Sequence, residues 1–338
     1  MATPEPTVVH VGTRRSALAL KQAETIVGQL QKVHPQLKFE IHAISVAGDR
    51  DKSTPLPDLG KGLWTTELDA KLATRELDVI VHCLKDMATT SPPGCIIGAV
   101  TEREDPRDVV IFRQADKYSK LADLPDGSVV GTSSVRRAAQ LKRHYPTLKF
   151  KDVRGNIDTR LRKLASDGFD CIILAAAGLL RMGWGDKIGQ YLDSDTENGG
   201  MLHAVGQGAL ALEIRKGDEH VHKLLQSIGH NPTMLATFAE RSIMRTLEGG
   251  CSVPIGVETR WADASAPKTL HLKAVVTSPD GSEEVQAEDS ADILSVEDAD
   301  AFGQKVAQAL ADKGAQKILD AINKGRDGEH GAVKVADI

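Results

Sequence analysis

Short β-rich runs alternate with amphipathic helical stretches through the first half of the chain, and this alternation restricts the fold more than any other feature. VVHVGT (8–13) predicts a strand, SALALKQAETIVGQLQKVH (16–34) a helix behind a Ser16 N-cap, and LKFEIHAISV (37–46) a strand again. TTELDAKLATREL (65–77) predicts a helix and DVIVHCL (78–84) a buried strand, followed by IIGAV (96–100) and DVVIF (108–112). A second series begins near Arg107. SVVGT (128–132), LKFKDV (148–153) and DCIILAAAG (170–178) predict strands, and SSVRRAAQLKRHY (133–145) and GNIDTRLRKLASDG (155–168) predict helices. Such a series implies α/β units with mostly parallel strands. ALALEIR (209–215) predicts a return strand that rejoins the first unit.

The last third changes character. A helical stretch (232–250) is followed by three β-rich runs: IGVETRW (255–261), TLHLKAVVTSP (269–279) and SEEVQAEDSA (282–291). SPDG (278–281) is the turn between the last two. One terminal helix (298–324) and a frayed tail (325–338) complete a small α+β domain. At 338 residues the chain exceeds what one core usually serves. No repeat of fixed period is visible.

Several classes are excluded early. No apolar run approaches the roughly 18–20 residues of a membrane helix, and the N-terminus has neither a secretory nor a transit pattern. The expected location is cytoplasmic. Four cysteines lack the CxxC or CxxH pairing of a structural zinc site, so no metal is expected. Cys83, Cys95 and Cys171 lie in or beside apolar runs and read as small buried hydrophobes. Net charge is −5, yet Gly131–Lys163 carries ten Lys/Arg against Asp152 and Asp158. Aromatic content of 4% and the absence of a nucleic-acid module argue against DNA or RNA. A pocket for a small polyanion fits better, with Lys142, Arg143, Lys149 and Lys163 read as solvated.

Some stretches break local rules. In GTSSVRRAAQL a Ser-capped helix carries Arg136 and Arg137 in its first turn, where the dipole disfavours cations. VRGNIDTRLRK repeats the pattern with Arg154 and Arg160. Both helices follow strands, at the sheet edge where α/β proteins bind ligands. VHCLKDMATT ends a buried strand on Lys85 and Asp86, readable as a surface ion pair or as a catalytic carboxylate with an anion ligand. Arg181 follows a strand and turn, and Gln207 sits in a glycine-flanked turn. Residues 47–63 form a long aperiodic segment, readable as a lid or an idle loop. Cys251, in EGGCSVPIG, admits five roles: half-cystine, metal ligand, nucleophile, buried hydrophobe or attachment point. No histidine near it gives a triad signature.

Nine stretches in order carry a resemblance: GTRRSALALKQAE, GKGLWTTELD, VHCLKDM, EREDPRD, VGTSSVRRAAQL, VRGNIDTRL, LAAAGLLRMG, AVGQGALALE and LEGGCSVPIG. Over essentially its whole length the chain resembles the porphobilinogen deaminase (hydroxymethylbilane synthase) family. The resemblance implies two α/β domains like type-II periplasmic binding proteins, with the active site in the cleft between them, and a small α+β C-terminal domain. On this chain these are 1–106 with 208–229, 107–207, and 230–338.

The family condenses four porphobilinogens, each losing ammonia, onto a covalent dipyrromethane cofactor and releases the tetrapyrrole by hydrolysis. The resemblance makes Cys251 the thioether anchor and Asp86 the catalytic carboxylate. It places Lys85, Thr132, Ser133, Ser134, Arg136 and Arg137 at the cofactor. Arg14, Ser16, Lys61, Trp64, Arg154, Arg160, Arg181 and Gln207 fall at the substrate. Arginine suits this task because every porphobilinogen ring brings two carboxylates for a bidentate, permanently charged fork. The implied partner is porphobilinogen alone, with no nucleic acid and no membrane, and the implied state is a monomer. Three positions depart from the family pattern: Cys83 for Ser, Trp64 for Phe and Ala88 for Pro. A non-catalytic anion-binding protein on the same scaffold is the competing class.

Overall fold

In the computed structural model, residues 8–46, 65–247 and 253–328 are described, with side chains as far as residue 323. The expected lid, residues 47–63, lies wholly outside them, as do Lys61, Trp64 and Cys251. The first unit holds the described residues up to Glu104 and also Ala209–Met234; the second holds Asp105–Gly208 and the described residues from Leu235 onward.

The first unit begins with β1 (Val8–Arg14), α1 (Ala17–Val33) and β2 (Lys38–Ile44). The Ser16 side chain accepts from the Ala19 N–H and starts α1. Its face Gln22, Ala23, Ile26 and Leu30 is buried at helical spacing and packs on Val9 and Val11. α2 (Thr66–Ala73), β3 (Val79–Cys83) and β4 (Cys95–Val100) follow. β10 (Leu210–Arg215) and α6 (Glu219–Gln226) are added after the chain returns. The sheet order is β2-β1-β3-β10-β4, with β10 antiparallel to both neighbours.

The second unit repeats that plan. β5 (Asp108–Phe112) precedes β6 (Val129–Gly131), α3 (Val135–His144), β7 (Lys149–Lys151), α4 (Ile157–Ser166), β8 (Cys171–Ala175), α5 (Ala176–Arg181) and β9 (Gln190–Leu192). Its order is β7-β6-β8-β5-β9, and here β5 is the one strand running against the other four. Both sheets are therefore mostly parallel, with the reversed strand in the fourth place. This is the type-II periplasmic-binding plan expected from the sequence. Leu141 and Ala138 of α3 cover one face with Val130 and Ile173, while Leu164 and Leu179 cover the other with Ile172 and Leu174. Helices on both faces explain why these strands read as continuous apolar runs.

α7 (Asn231–Thr246) leads to an antiparallel sheet, β11 (Ile255–Trp261), β12 (Thr269–Thr277) and β13 (Glu284–Asp292). α8 (Val296–Asp312) and α9 (Ala315–Gly328) complete the described chain. Leu270, Leu272 and Ala274 alternate inward against Phe302, Val306 and Leu310.

Four expectations change. The strand predicted over 170–178 ends at Ala175, and Ala176–Arg181 is helical because Ala, Leu and Arg favour helix. The helix predicted over 65–77 stops at Ala73, two residues before Arg75 takes φ 65°. The single terminal helix is two, broken where Gly314 takes φ 100°. Residues 325–328, predicted as frayed tail, continue α9. The short helix α6 and strand β9 were not legible in the sequence.

Candidate active site

Each parallel strand ends near a charged or hydroxyl side chain, and the two units do this differently. In the first unit β1 ends on Arg14, and β3 runs into a single 3₁₀ turn, Leu84–Asp86. The sheet therefore delivers Arg14 and Asp86 to one edge, where the guanidinium lies 3.9 Å from the Asp86 carboxylate. The Arg14 side chain is 19% exposed and that of Asp86 34%, so the acid is reachable. Lys85 is half-buried in the same turn. Ser16 stands at the cap of α1, beside the same edge. Cys83 is not buried as expected: it is half-exposed, and its thiol meets the Gln22 amide at 3.1–3.3 Å. Cys95 and Cys171 are buried, and burial pushes the Cys95 thiol up to about 11.

In the second unit β6, β7 and β8 each lead to a basic residue. Thr132 is buried and its hydroxyl accepts from the Ser134 N–H at 3.2 Å. Ser133 donates to the Val153 carbonyl, and Ser134 caps α3 by accepting from the Arg137 N–H. Arg154 follows β7, half-buried. Arg160 Nε donates to the Gly155 carbonyl at 2.7 Å. Arg181, at the end of α5, donates to the Gly208 carbonyl at 2.7 Å.

One acid organises this edge. Because β5 runs against its neighbours, its first residue, Asp108, lies beside Ala175 at the carboxyl end of β8. Arg137 Nε and Nη2 reach Asp108 Oδ1 at 2.9 and 2.6 Å, and Arg136 Nη2 reaches Oδ2 at 2.8 Å. Gln207 Nε2 adds a bond to Oδ1 at 3.0 Å and another to the Pro106 carbonyl at 2.7 Å. The flanking Gly206 and Gly208 hold φ of 70° and 88°, a turn that other residues disfavour. Further donations fix the guanidinia: Arg136 to the Leu202 carbonyl and Arg137 to the Ile173 carbonyl. Burial lowers the Arg136 pKa from its ordinary value, opposed by the Asp108 charge.

The two arginines in the first turn of α3 thus answer to a carboxylate of the chain itself. Asp108 was missed in the sequence, though it carried a signal: an acid opening the wholly buried strand DVVIF needs a partner. Arg143, read as solvated, is exposed, and it also donates to the Gly281 and Ser282 carbonyls and so ties α3 to the β12–β13 hairpin.

Two α/β units of one plan, with charged and hydroxyl side chains at the carboxyl ends of their parallel strands, define a class of two-unit proteins built on the type-II periplasmic-binding fold. The comparisons narrow that class. The profile "Porphobilinogen deaminase, dipyromethane cofactor binding domain" matches residues 9–223, and "Porphobilinogen deaminase, C-terminal domain" matches 234–312. A Neurospora crassa protein named porphobilinogen deaminase is 59% identical over 98% of both chains. One of that name from Saccharomyces cerevisiae is 46% identical over 95% of this chain and 99% of its own. Among solved structures, the BenM effector-binding domain with benzoate covers 65% of this chain and 90% of its own, at 15% identity and TM-score 0.39. The chain belongs to the porphobilinogen deaminase family. No described helix is long and apolar enough to cross a membrane.

Proposed function

We propose that the chain is a hydroxymethylbilane synthase that joins four porphobilinogens head to tail, with loss of ammonia, and releases the linear tetrapyrrole by hydrolysis. It is a transferase, acting as a cytoplasmic monomer of three domains: 1–106 with 208–229, 107–207, and 230–338. The observation that carries this reading is the buried carboxylate shared by Arg136 and Arg137 at an edge that also receives Arg154, Arg160 and Arg181. Guanidinia gathered at one edge offer the bidentate, permanently charged forks that suit a ligand rich in carboxylates.

This donor set fits dipyrromethane, whose rings carry acetate and propionate groups. Lys85, Thr132, Ser133, Ser134, Arg136 and Arg137 would hold it, with Cys251 as the covalent anchor. When attached, the cofactor supplies the pyrrole carbon to which the first porphobilinogen is joined. Arg14, Ser16, Lys61, Trp64, Arg154, Arg160, Arg181 and Gln207 would orient the incoming ring and the growing product. Asp86 offsets the positive charge that develops on the porphobilinogen methylene carbon as ammonia departs. It then takes the proton shed by the pyrrole carbon that has formed the new bond. Its partial exposure supports that role, because the carboxylate must meet substrate.

Intact mass and Ehrlich's reagent test the reading. Protein from cells that make porphobilinogen should exceed the chain mass by one thioether-linked dipyrromethane and give colour, and Cys251→Ala should do neither. A bare-chain mass with no colour would overturn the cofactor assignment. A normally loaded and fully active Arg136→Leu protein would overturn the placement of that arginine.

A further inference from the structure

Two histidines and a glutamate meet on the first sheet, away from the edge that carries Arg14 and Asp86. The strands β1 and β2 pair in parallel, with His10 opposite Glu40 and Gly12 opposite His42. All three side chains therefore lie on one face of the sheet. β2 is one of its two edge strands. Gly12 places no side chain beside His42, and His10 leans across instead: its Nδ1 lies 3.0 Å from His42 Nε2. The Glu40 carboxylate closes the group, with Oε2 3.8 Å from the same Nδ1. His10 and Glu40 are 37% and 38% exposed, so an ion from solvent reaches them directly.

We infer that His10, His42 and Glu40 form a binding site for one borderline divalent ion, zinc in the first instance. Their donor atoms all fall within 4.8 Å of one another. Bonds of roughly 2.0–2.2 Å from nitrogen and oxygen to zinc require tetrahedral donors about 3.3 Å apart, so small side-chain rotations suffice. Two imidazoles and one carboxylate suit zinc, copper or nickel over magnesium or calcium. The two facing nitrogens also need something between them: one proton, or one ion that takes both lone pairs. Lys38 grips Glu40 through the other oxygen, Oε1, at 2.6 Å, which leaves Oε2 directed at the histidines. That contact also lowers the Glu40 carboxyl below its ordinary value. The fourth position is left to water. Sequence spacing does not reveal such a site, because its ligands come from neighbouring strands.

The test uses untagged, chelator-treated protein and zinc chloride, followed by calorimetry. One zinc per chain should bind, and His42→Gln should weaken that binding roughly tenfold or more. Both histidines are partly exposed and outside the proposed catalytic machinery, so porphobilinogen turnover in metal-free buffer should be unchanged in this variant. Cobalt replacing zinc should give visible d–d bands without a thiolate charge-transfer band. Absence of zinc uptake, equal affinity in His42→Gln, or a thiolate band would each overturn the site, leaving the histidine contact as a shared proton only. Cofactor loading and turnover are separate readouts, so failure here does not touch the proposed function.

Discussion

The two α/β units share a strand order and place an acid at the same kind of edge, yet they treat it in opposite ways. Asp86 in the first unit has Arg14 at 3.9 Å and a third of its side chain exposed. Asp108 in the second is fully buried, with two guanidinia and Gln207 within 3.0 Å. The tightly bonded acid cannot serve chemistry without breaking its network, while the loosely paired one can change partners at little cost. The reversed strand is the geometric reason. β5 presents its first residue to the ends of β8 and β9, and the acid there meets the arginines of α3. In the first unit the acid instead leaves β3 through a 3₁₀ turn and faces outward.

The sharpest way to break this comparison is to neutralise each acid in turn. Asp86→Asn should lower turnover by roughly 10²–10⁴, the range for a lost general base, and leave the melting temperature within a degree or so of wild type. Retention of most activity would remove Asp86 from the chemistry.

Asp108→Ala should do the reverse. Removing the one carboxylate that two buried guanidinia share costs about 3–5 kcal/mol of stability. Urea unfolding would show it as a lower midpoint, and intact mass should show reduced dipyrromethane loading. A stable, loaded Asp108→Ala protein would mean that the arginines are held by their carbonyl contacts alone. The milder Asp108→Asn change keeps the shape and one acceptor, and should fall between the two.

The caps sharpen the comparison at lower energy. Ser16 and Ser134 both accept from the N–H three residues on, at 3.3 and 3.4 Å. Loss of either cap should cost about 1 kcal/mol in denaturant titration. If each hydroxyl also meets ligand, Ser134→Ala should raise KM or impair loading beyond that stability loss, and Ser16→Ala should raise KM. A stability change with unaltered KM and loading would confine both serines to capping.

Much of this arrangement was legible because strand and helix periodicity is strong in the α/β units. The placements of α1, β3, β5, α3 and β10 follow from buried faces and capping residues that sequence displays directly. The arginines of α3 were legible as an anomaly, since two cations in a first helical turn oppose the dipole. Their partner was not, because Asp108 meets them only through the reversed β5, a fact of sheet order that local sequence does not encode. The same limit hid the His10–His42 contact, which depends on the β1–β2 register. The division of the terminal helix was hidden for another reason: one glycine in a strong helical pattern is often tolerated, and only its positive φ marks the break.

A last contrast concerns acidity. The second unit gathers cations, whereas the first buries acids on the sheet face below α2. Glu213 is fully buried and bonds His82 at 2.8 Å, and Asp69 of α2 faces the pair. Burial, and then the Glu213 charge, push the Asp69 carboxyl from 3.8 to about 6, against the hydrogen bond from Thr65 and the nearby His82. The folded chain therefore holds this proton more tightly than the unfolded chain. Stability tied to Asp69 is full below 3.8 and is lost as pH rises through about 6. Asp69→Asn removes the charge that neutral pH forces beside Glu213, so it should stabilise the fold slightly at pH 7.5 and flatten the slope between those two values. Urea midpoints measured across that range for wild type and variant decide it, and parallel curves would mean that Asp69 does not take up that proton.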